Sequence, residues 1–214
     1  MLSQIETAIA AVAPFSRSIV VFSGDYIDRG RDSRRVIDLL LNWRPPHVER
    51  HFLMGNHEQL LLQFLEDPCS GDAWLSLGGA ATLASYGVQP PSVRSGSDAL
   101  HAVCEALHAR MPQTHLDFLR SLERYLAIGD FAFVHAGIDP RKTLDRQSDA
   151  DLFWIRDRFL KHKRPMSHYV VHGHTPVTTP KADGMRISID SGAYATGLLS
   201  AARIEGVEVS FLST

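Results

Sequence analysis

Four short segments of this 214-residue chain set acids, amides, imidazoles and a guanidinium directly after apolar runs: GDYIDRG (24–30), GNHE (55–58), HAG (135–137) and GHT (173–175). A glycine beside each polar residue lets the backbone turn sharply and approach a bound group closely. Together the segments offer Asp25, Asn56, His135 and His174, an oxygen-and-imidazole set suited to Mn, Fe, Zn or a similar divalent ion. The same loops hold Asp28, Arg29 and His57, and Arg156 follows in WIRDR. An arginine fork matches phosphate oxygens. A histidine outside the metal set can give a proton to a leaving group near neutral pH. Ligands, arginines and such a histidine describe metal-assisted phosphoester hydrolysis. In that chemistry a metal-generated hydroxide attacks phosphorus in line, cations balance the equatorial oxygens, and an acid protonates the departing oxygen. Each segment alone also reads as a polar turn, a helix start or a structural histidine. Their joint presence in this order carries the chemical reading.

The elements that must position these residues are legible from periodicity. SIVVFS (18–23) and RHFLM (50–54) are short apolar runs closed by Gly24 and Gly55, as buried strands would be. SRRVIDLLLNW (33–43) has helical spacing, Asp32 or Ser33 as N-cap, and Pro45 and Pro46 beyond its end. EQLLLQFL (58–65) starts a second helix directly after the second loop. Strand, glycine, polar loop and helix thus occur twice in the first 65 residues, which argues an α/β fold. The segment 67–113 reads as an insertion or cap within a single domain, with a helix near 97–111. Thr114 and Asp117 look like a capping pair for HLDFLRSL. YLAI (125–128) and FAFVH (131–135) make a hairpin across Gly-Asp, and DLFWIRDRFL (151–160) has the spacing of one amphipathic helix. HYVVH (168–172), RISID (186–190), LLSAARI (198–204) and VEVSFL (207–212) read as strands. In a sheet of this kind, ligands bind outside the carboxyl ends of the strands.

Composition sets the outer bounds. A net charge of -2 and a pI near 6.6 give no general attraction to nucleic acid or an anionic membrane. No apolar run reaches transmembrane length. The first residues, MLSQIETAIAAV, lack a basic region before their apolar part and space Leu2, Ile5, Ile9 and Val12 as an amphipathic helix rather than a signal peptide. The two cysteines, Cys69 and Cys104, form no paired motif, which fits a reducing cytoplasmic compartment. His47, His51, His101, His108, His115, His162 and His168 lack a partner pattern and read as structural or exposed. His172 is set aside although it lies in HGH, and Trp43 and Trp74 read as core. Asp190 and Tyr194, in IDSGAYATG, read equally as a site-approaching loop or a tight turn.

With GDYIDRG, GNHE, HAG and GHT in this order, the chain resembles the calcineurin-like metallophosphoesterases. LFWIRDRFL, VVHGHTPV and IDSGAYATG narrow the resemblance to the bacterial serine/threonine phosphoprotein-phosphatase branch. The resemblance implies a four-layer α-β-β-α sandwich with a dinuclear metal centre, manganese among the candidate ions. Asp25 would bridge the two ions, and Asn56, His135 and His174 would complete the second site. His57 would be the general acid, oriented by Asp28, with Arg29 and Arg156 holding phosphate. The family pattern opens with a strand ending in Asp-x-His, and no such motif precedes GDYIDRG here. The expectation is therefore a sheet short of its first strand and a weakly held first ion. The leading substrate is a phosphoserine or phosphothreonine protein. A dinucleoside polyphosphate is the second reading, and a metal- or phosphate-binding fold with little turnover the third. Oligomeric state and physiological partner are open.

Overall fold

The computed structural model describes residues 1–11, 17–92 and 96–214. In chain order these form α1 (Leu2–Ala10), β1 (Ser18–Phe22), α2 (Ser33–Asn42), β2 (Val48–Phe52), α3 (Asn56–Glu66), α4 (Gly71–Trp74), α5 (Ala80–Ser85), α6 (Ser97–Arg110), α7 (Gln113–Arg120), β3 (Leu126–Ile128) and β4 (Phe131–Phe133). They continue with α8 (Asp149–Trp154), α9 (Asp157–Leu160), β5 (Tyr169–His172), β6 (Lys181–Ala182), β7 (Arg186–Ser188), α10 (Ala193–Thr196), β8 (Ser200–Glu205) and β9 (Glu208–Ser213). The chain divides into two units. One comprises Met1–Ser23, Pro45–Leu53 and Glu123–Thr214, and the other Gly24–Arg44 and Met54–Leu122.

Among the described residues, the first unit holds every strand. β1 and β2 are parallel, in register from Ser18–Val48 to Phe22–Phe52, and the two terminal rings stack with centroids 4.8 Å apart. A second sheet has the order β3-β4-β5-β7-β6, with β4, β5 and β7 mutually parallel and β3 and β6 antiparallel at its edges. Its centre is built from Ala132, Val134, Val170, Val171 and Ile187, all buried, with Phe153 and Phe159 buried in the same unit. Near-continuous apolar runs are what a parallel strand covered on both faces requires. Because β4 and β5 run in the same direction as neighbours, the HAG and GHT loops leave the same end of the sheet side by side, and Gly173 N–H donates to the His135 carbonyl at 2.8 Å. β8 and β9 form a separate antiparallel hairpin.

The second unit is helical. Ile37, Leu61, Phe64, Leu83, Leu107 and Leu119 are buried, as is Trp74, whose ring stacks on Phe64 at 5.1 Å. The GDYIDRG and GNHE loops belong to this unit, together with the run of short helices from Pro68 to Ser85.

Several sequence expectations need correction. Residues 151–160 are two helices, not one. α8 is opened by a Ser148–Asp151 capping box and stops at Ile155, which is extended (φ -60°, ψ 141°). Arg156 then serves as N-cap of α9. The break leaves Phe153 and Phe159 both buried, so the apolar spacing looks continuous in sequence. Thr114 does not cap α7, which begins at Gln113 after Pro112; the local pair is Gln113 Nε2–H donating to Asp117 at 2.7 Å. β2 lies two residues earlier than expected, and α3 starts at Asn56 because Gly55 and Glu58 form its cap. α1 ends at Ala10, and Val12 lies outside the described residues.

Candidate active site

In the helical unit the organising group is Glu58. It occupies the third position of α3 and is wholly buried. Its Oε2 accepts from the amides of Asp25 (2.9 Å) and Gly55 (3.0 Å), and its Oε1 from those of Tyr26 (2.7 Å) and Ile27 (3.3 Å). One carboxylate thus caps its own helix and folds the GDYIDRG loop around itself. Burial, then the nearby Asp25 charge, push the Glu58 carboxyl up to about 7, against amides that favour its charged form. Gly55 is required at this point, since a Cβ there would stand 2.3 Å from Asp25 Oδ1. Asn56 follows as the first residue of α3, buried.

The loop that Glu58 holds is strained. Among the described residues, five non-glycine residues have left-handed φ: Asp25 (58°), Asp28 (72°), Arg29 (59°), His47 (61°) and His174 (63°). Four of these five were singled out from sequence as site residues. Such conformations cost about 1–3 kcal/mol each and persist where the surroundings over-determine them.

His57 lies next to Asn56, also buried, with Nδ1 2.7 Å from Asp28 Oδ2. Asp28 is in turn fixed by two side chains that the sequence did not flag. Trp74 Nε1–H donates to both its oxygens (3.1 and 3.0 Å), and Thr82 Oγ1–H to its Oδ1 (2.6 Å). The Asp28 amide donates to Thr82 Oγ1 and Ser33 Oγ. Three acceptor contacts from two donors fix the carboxylate in place, and its Oδ2 orients the His57 ring through Nδ1. Burial opposes protonation of His57, but the Asp28 hydrogen bond and the Asp25 charge prevail and raise it above the ordinary histidine value. Arg29 is exposed beside this network, its Nε–H donating to the Leu77 carbonyl at 3.3 Å.

In the strand-bearing unit, His135 and His174 leave the ends of β4 and β5 and are both buried. His135 Nδ1–H donates to the Ser23 carbonyl at 2.7 Å. That contact fixes the tautomer and turns the Nε2 lone pair toward His174 Nδ1, 3.2 Å away. Two imidazole nitrogens bound to one ion at about 2.1 Å, roughly 100° apart, would stand roughly 3.2 Å from each other. The pair therefore fits a shared divalent ion. His172 does not join them. Its Nδ1–H donates to the Gly173 carbonyl, its Nε2 accepts from Ser188 Oγ at 3.0 Å, and burial pushes its pKa down to about 4. Arg156 is exposed, with Nη1–H donating to Thr175 Oγ1 at 3.3 Å, directly after His174. The Trp154 indole packs edge-on to His174 with centroids 6.4 Å apart. Asp190 spends its Oδ1 on the Gly192 amide, and Tyr194 is exposed on α10.

Glu58, Trp74 and Thr82 were missed in sequence. Glu58 had a usable signal, a glutamate three positions after a glycine that ends an apolar run. Trp74 and Thr82 had none, because nothing local tells an indole or hydroxyl in a core from one that addresses a carboxylate.

An asymmetrical bis(5'-nucleosyl)-tetraphosphatase PrpE of Geobacillus thermodenitrificans (strain NG80-2) is 27% identical over 200 residues, covering 85% of this chain and 74% of its own. A solved structure of a candidate diadenosine tetraphosphatase superposes with a TM-score of 0.61 at 19% identity, covering 99% of this chain and 86% of that one. A protein serine/threonine phosphatase of Saccharomyces cerevisiae superposes with a TM-score of 0.53 at 15% identity, covering 99% and 75%. Both likenesses show the shared metallophosphoesterase fold. The model of the calcineurin-like phosphoesterases matches residues 2–204, and the chain belongs to that family.

Proposed function

We propose that this protein is a divalent-metal-dependent phosphoester hydrolase acting on dinucleoside polyphosphates, with His57 as the general acid. The observation that carries the reading is the buried Asp28–His57 pair at 2.7 Å, in which a carboxylate fixed by Trp74 and Thr82 orients an imidazole and favours its charged form. A histidine so held delivers the Nε2 proton to a departing oxygen and is restored from solvent. Arg29 and Arg156 are proposed to hold the phosphate oxygens. Asp25, Asn56, His135 and His174 would hold the metal, and the donor types and the His135–His174 spacing fit one. When bound, the ion would polarise the phosphoryl group and supply hydroxide at neutral pH. The dinucleoside substrate is supported by relatives bearing that name at 24–27% identity. A phosphoprotein substrate is the second reading, favoured by the LFWIRDRFL and IDSGAYATG motifs.

The test is turnover of diadenosine tetraphosphate against a phosphoserine peptide, each with manganese. The expected result is preferential release of nucleotide from the dinucleotide, with kcat reduced about 10²–10⁴-fold in His57→Asn. Preferential dephosphorylation of the peptide would reverse the substrate assignment. No turnover of either above a metal-free blank would leave a binding fold and sink the enzymatic reading.

A further inference from the structure

The segment that joins α4 to α5 touches Arg29 directly and reaches His57 through Trp74 and Asp28. Leu75–Gly79 is a wide π-type turn, interrupted at Gly78 by φ 114°. Wide turns of this kind recur at functional sites. Two of its carbonyls face Arg29: the Arg29 amide donates to the Gly78 carbonyl and Nε–H to the Leu77 carbonyl, each at 3.3 Å. A Cβ on Gly78 would lie 2.8 Å from Arg29 Cγ and 3.0 Å from its amide nitrogen. The next residue faces elsewhere. A Cβ on Gly79 would lie 2.5 Å from Trp74 Cε2 and 2.6 Å from Cδ2. Trp74 has no exposed surface, so its indole cannot swing away into solvent. That indole carries the N–H that fixes Asp28, and Asp28 fixes His57.

We infer that the Leu77–Gly79 turn positions both arms of the reaction, Gly78 setting Arg29 and Gly79 setting His57 through Trp74 and Asp28. The inference rests on the roles proposed above for Arg29 and His57. Two adjacent glycines thereby govern separate steps. Displacing Arg29 weakens the hold on phosphate. Displacing the indole loosens the acid while leaving the phosphate contact in place. Neither glycine touches substrate, so both act as positioning residues.

Two double-mutant cycles on p-nitrophenyl phosphate with manganese test this, with thermal unfolding recorded for every variant. Gly78→Ala should raise KM about tenfold and add little to KM in an Arg29→Ala background, while the strain of a Cβ at φ 114° lowers thermal stability in both. Gly79→Ala should lower kcat about 10- to 100-fold, as a small misplacement of a reacting group does. In a Trp74→Phe background, where the N–H to Asp28 is already gone, it should lower kcat little further. Additive losses in either cycle, or equal effects of the two glycines on KM and kcat, would overturn the inference. Should Gly79→Ala fail to fold, Trp74→Phe alone decides: reduced kcat with unchanged KM supports the relay, and unchanged kcat refutes it. A wild-type protein without phosphoester turnover would remove the proposed function and this inference with it. An active wild type with additive cycles would remove the inference only.

Discussion

Three consecutive amides, those of Asp25, Tyr26 and Ile27, converge on one buried carboxylate, and a fourth arrives from Gly55. A carboxylate is the one side chain that can accept at two oxygens without presenting a donor. Glutamine in its place would turn an NH₂ toward two of those amides, leaving buried donors unpaired at a loop already holding three residues at left-handed φ. Glu58→Gln should therefore lower unfolding stability by about 2–4 kcal/mol. A urea titration at neutral pH reads it, and a midpoint unchanged from wild type would show that the amides are satisfied some other way. Activity should fall with it, because Asp25, Asp28 and Arg29 hang on the same loop. At this scale the sequence disclosed the residue types and their order but not the strain. GDYIDRG shows three functional groups in seven positions; it does not show that all three must adopt a conformation ordinarily left to glycine. Trp74 and Thr82 were illegible for a related reason, since their roles exist only once α4 and α5 are folded against the loop.

Elements with a strong local cause were read correctly in kind. β1, β4 and β5 are β-branched or aromatic runs ended by turn residues, and the loops after them fall where parallel strands deliver them. The α8–α9 break was not readable, because its two halves bury Phe153 and Phe159 in phase with one continuous helix. What distinguishes them is tertiary: extended Ile155 turns the chain so that Arg156 reaches Thr175. The start of α8 is fixed more locally. Ser148 Oγ accepts from the Asp151 amide at 3.3 Å and donates to Asp151 Oδ2 at 2.7 Å. Ser148→Ala removes both contacts and should cost about 1 kcal/mol. In a chain of this length that corresponds to a Tm about 2–4 °C lower. Calorimetry checks it, and Ser148→Asp, which keeps an acceptor at the cap, should recover part of the loss. An alanine variant melting with wild type would mean that the Lys142–Asp151 ion pair suffices to hold the helix start.

For the molecule as a whole, proton linkage separates carboxylates that hold the fold together from those proposed to hold metal. Asp139 belongs to the first kind. It is fully buried in the loop after HAG, yet its partners reach in from the surface: Arg141 donates through its amide, Nε and Nη2, and Arg158 through Nη1 at 3.0 Å. The Arg141 hydrogen bonds, against burial and with help from Arg158, hold its carboxyl well below the usual carboxylate range. In the unfolded chain an aspartate titrates near about 3.9. The folded state therefore binds this proton less readily than the unfolded state. Its contribution to stability is complete above about pH 4 and is lost as pH falls further, toward the depressed folded value. Asp139→Asn, which cannot ionise, should be less stable than wild type at pH 7 by about 2 kcal/mol, since a buried site loses a charge-assisted contact. The gap should close as the pH is lowered from 4 toward 2, because the wild-type carboxylate is then being neutralised as well. Urea unfolding of both proteins at pH 7, 4 and 2.5, with chelator present so that metal release adds nothing, measures the gap directly. A difference that stays constant across that range would mean the carboxylate is not linked to folding, and that the two arginines are surface contacts without a share in the fold's acid stability.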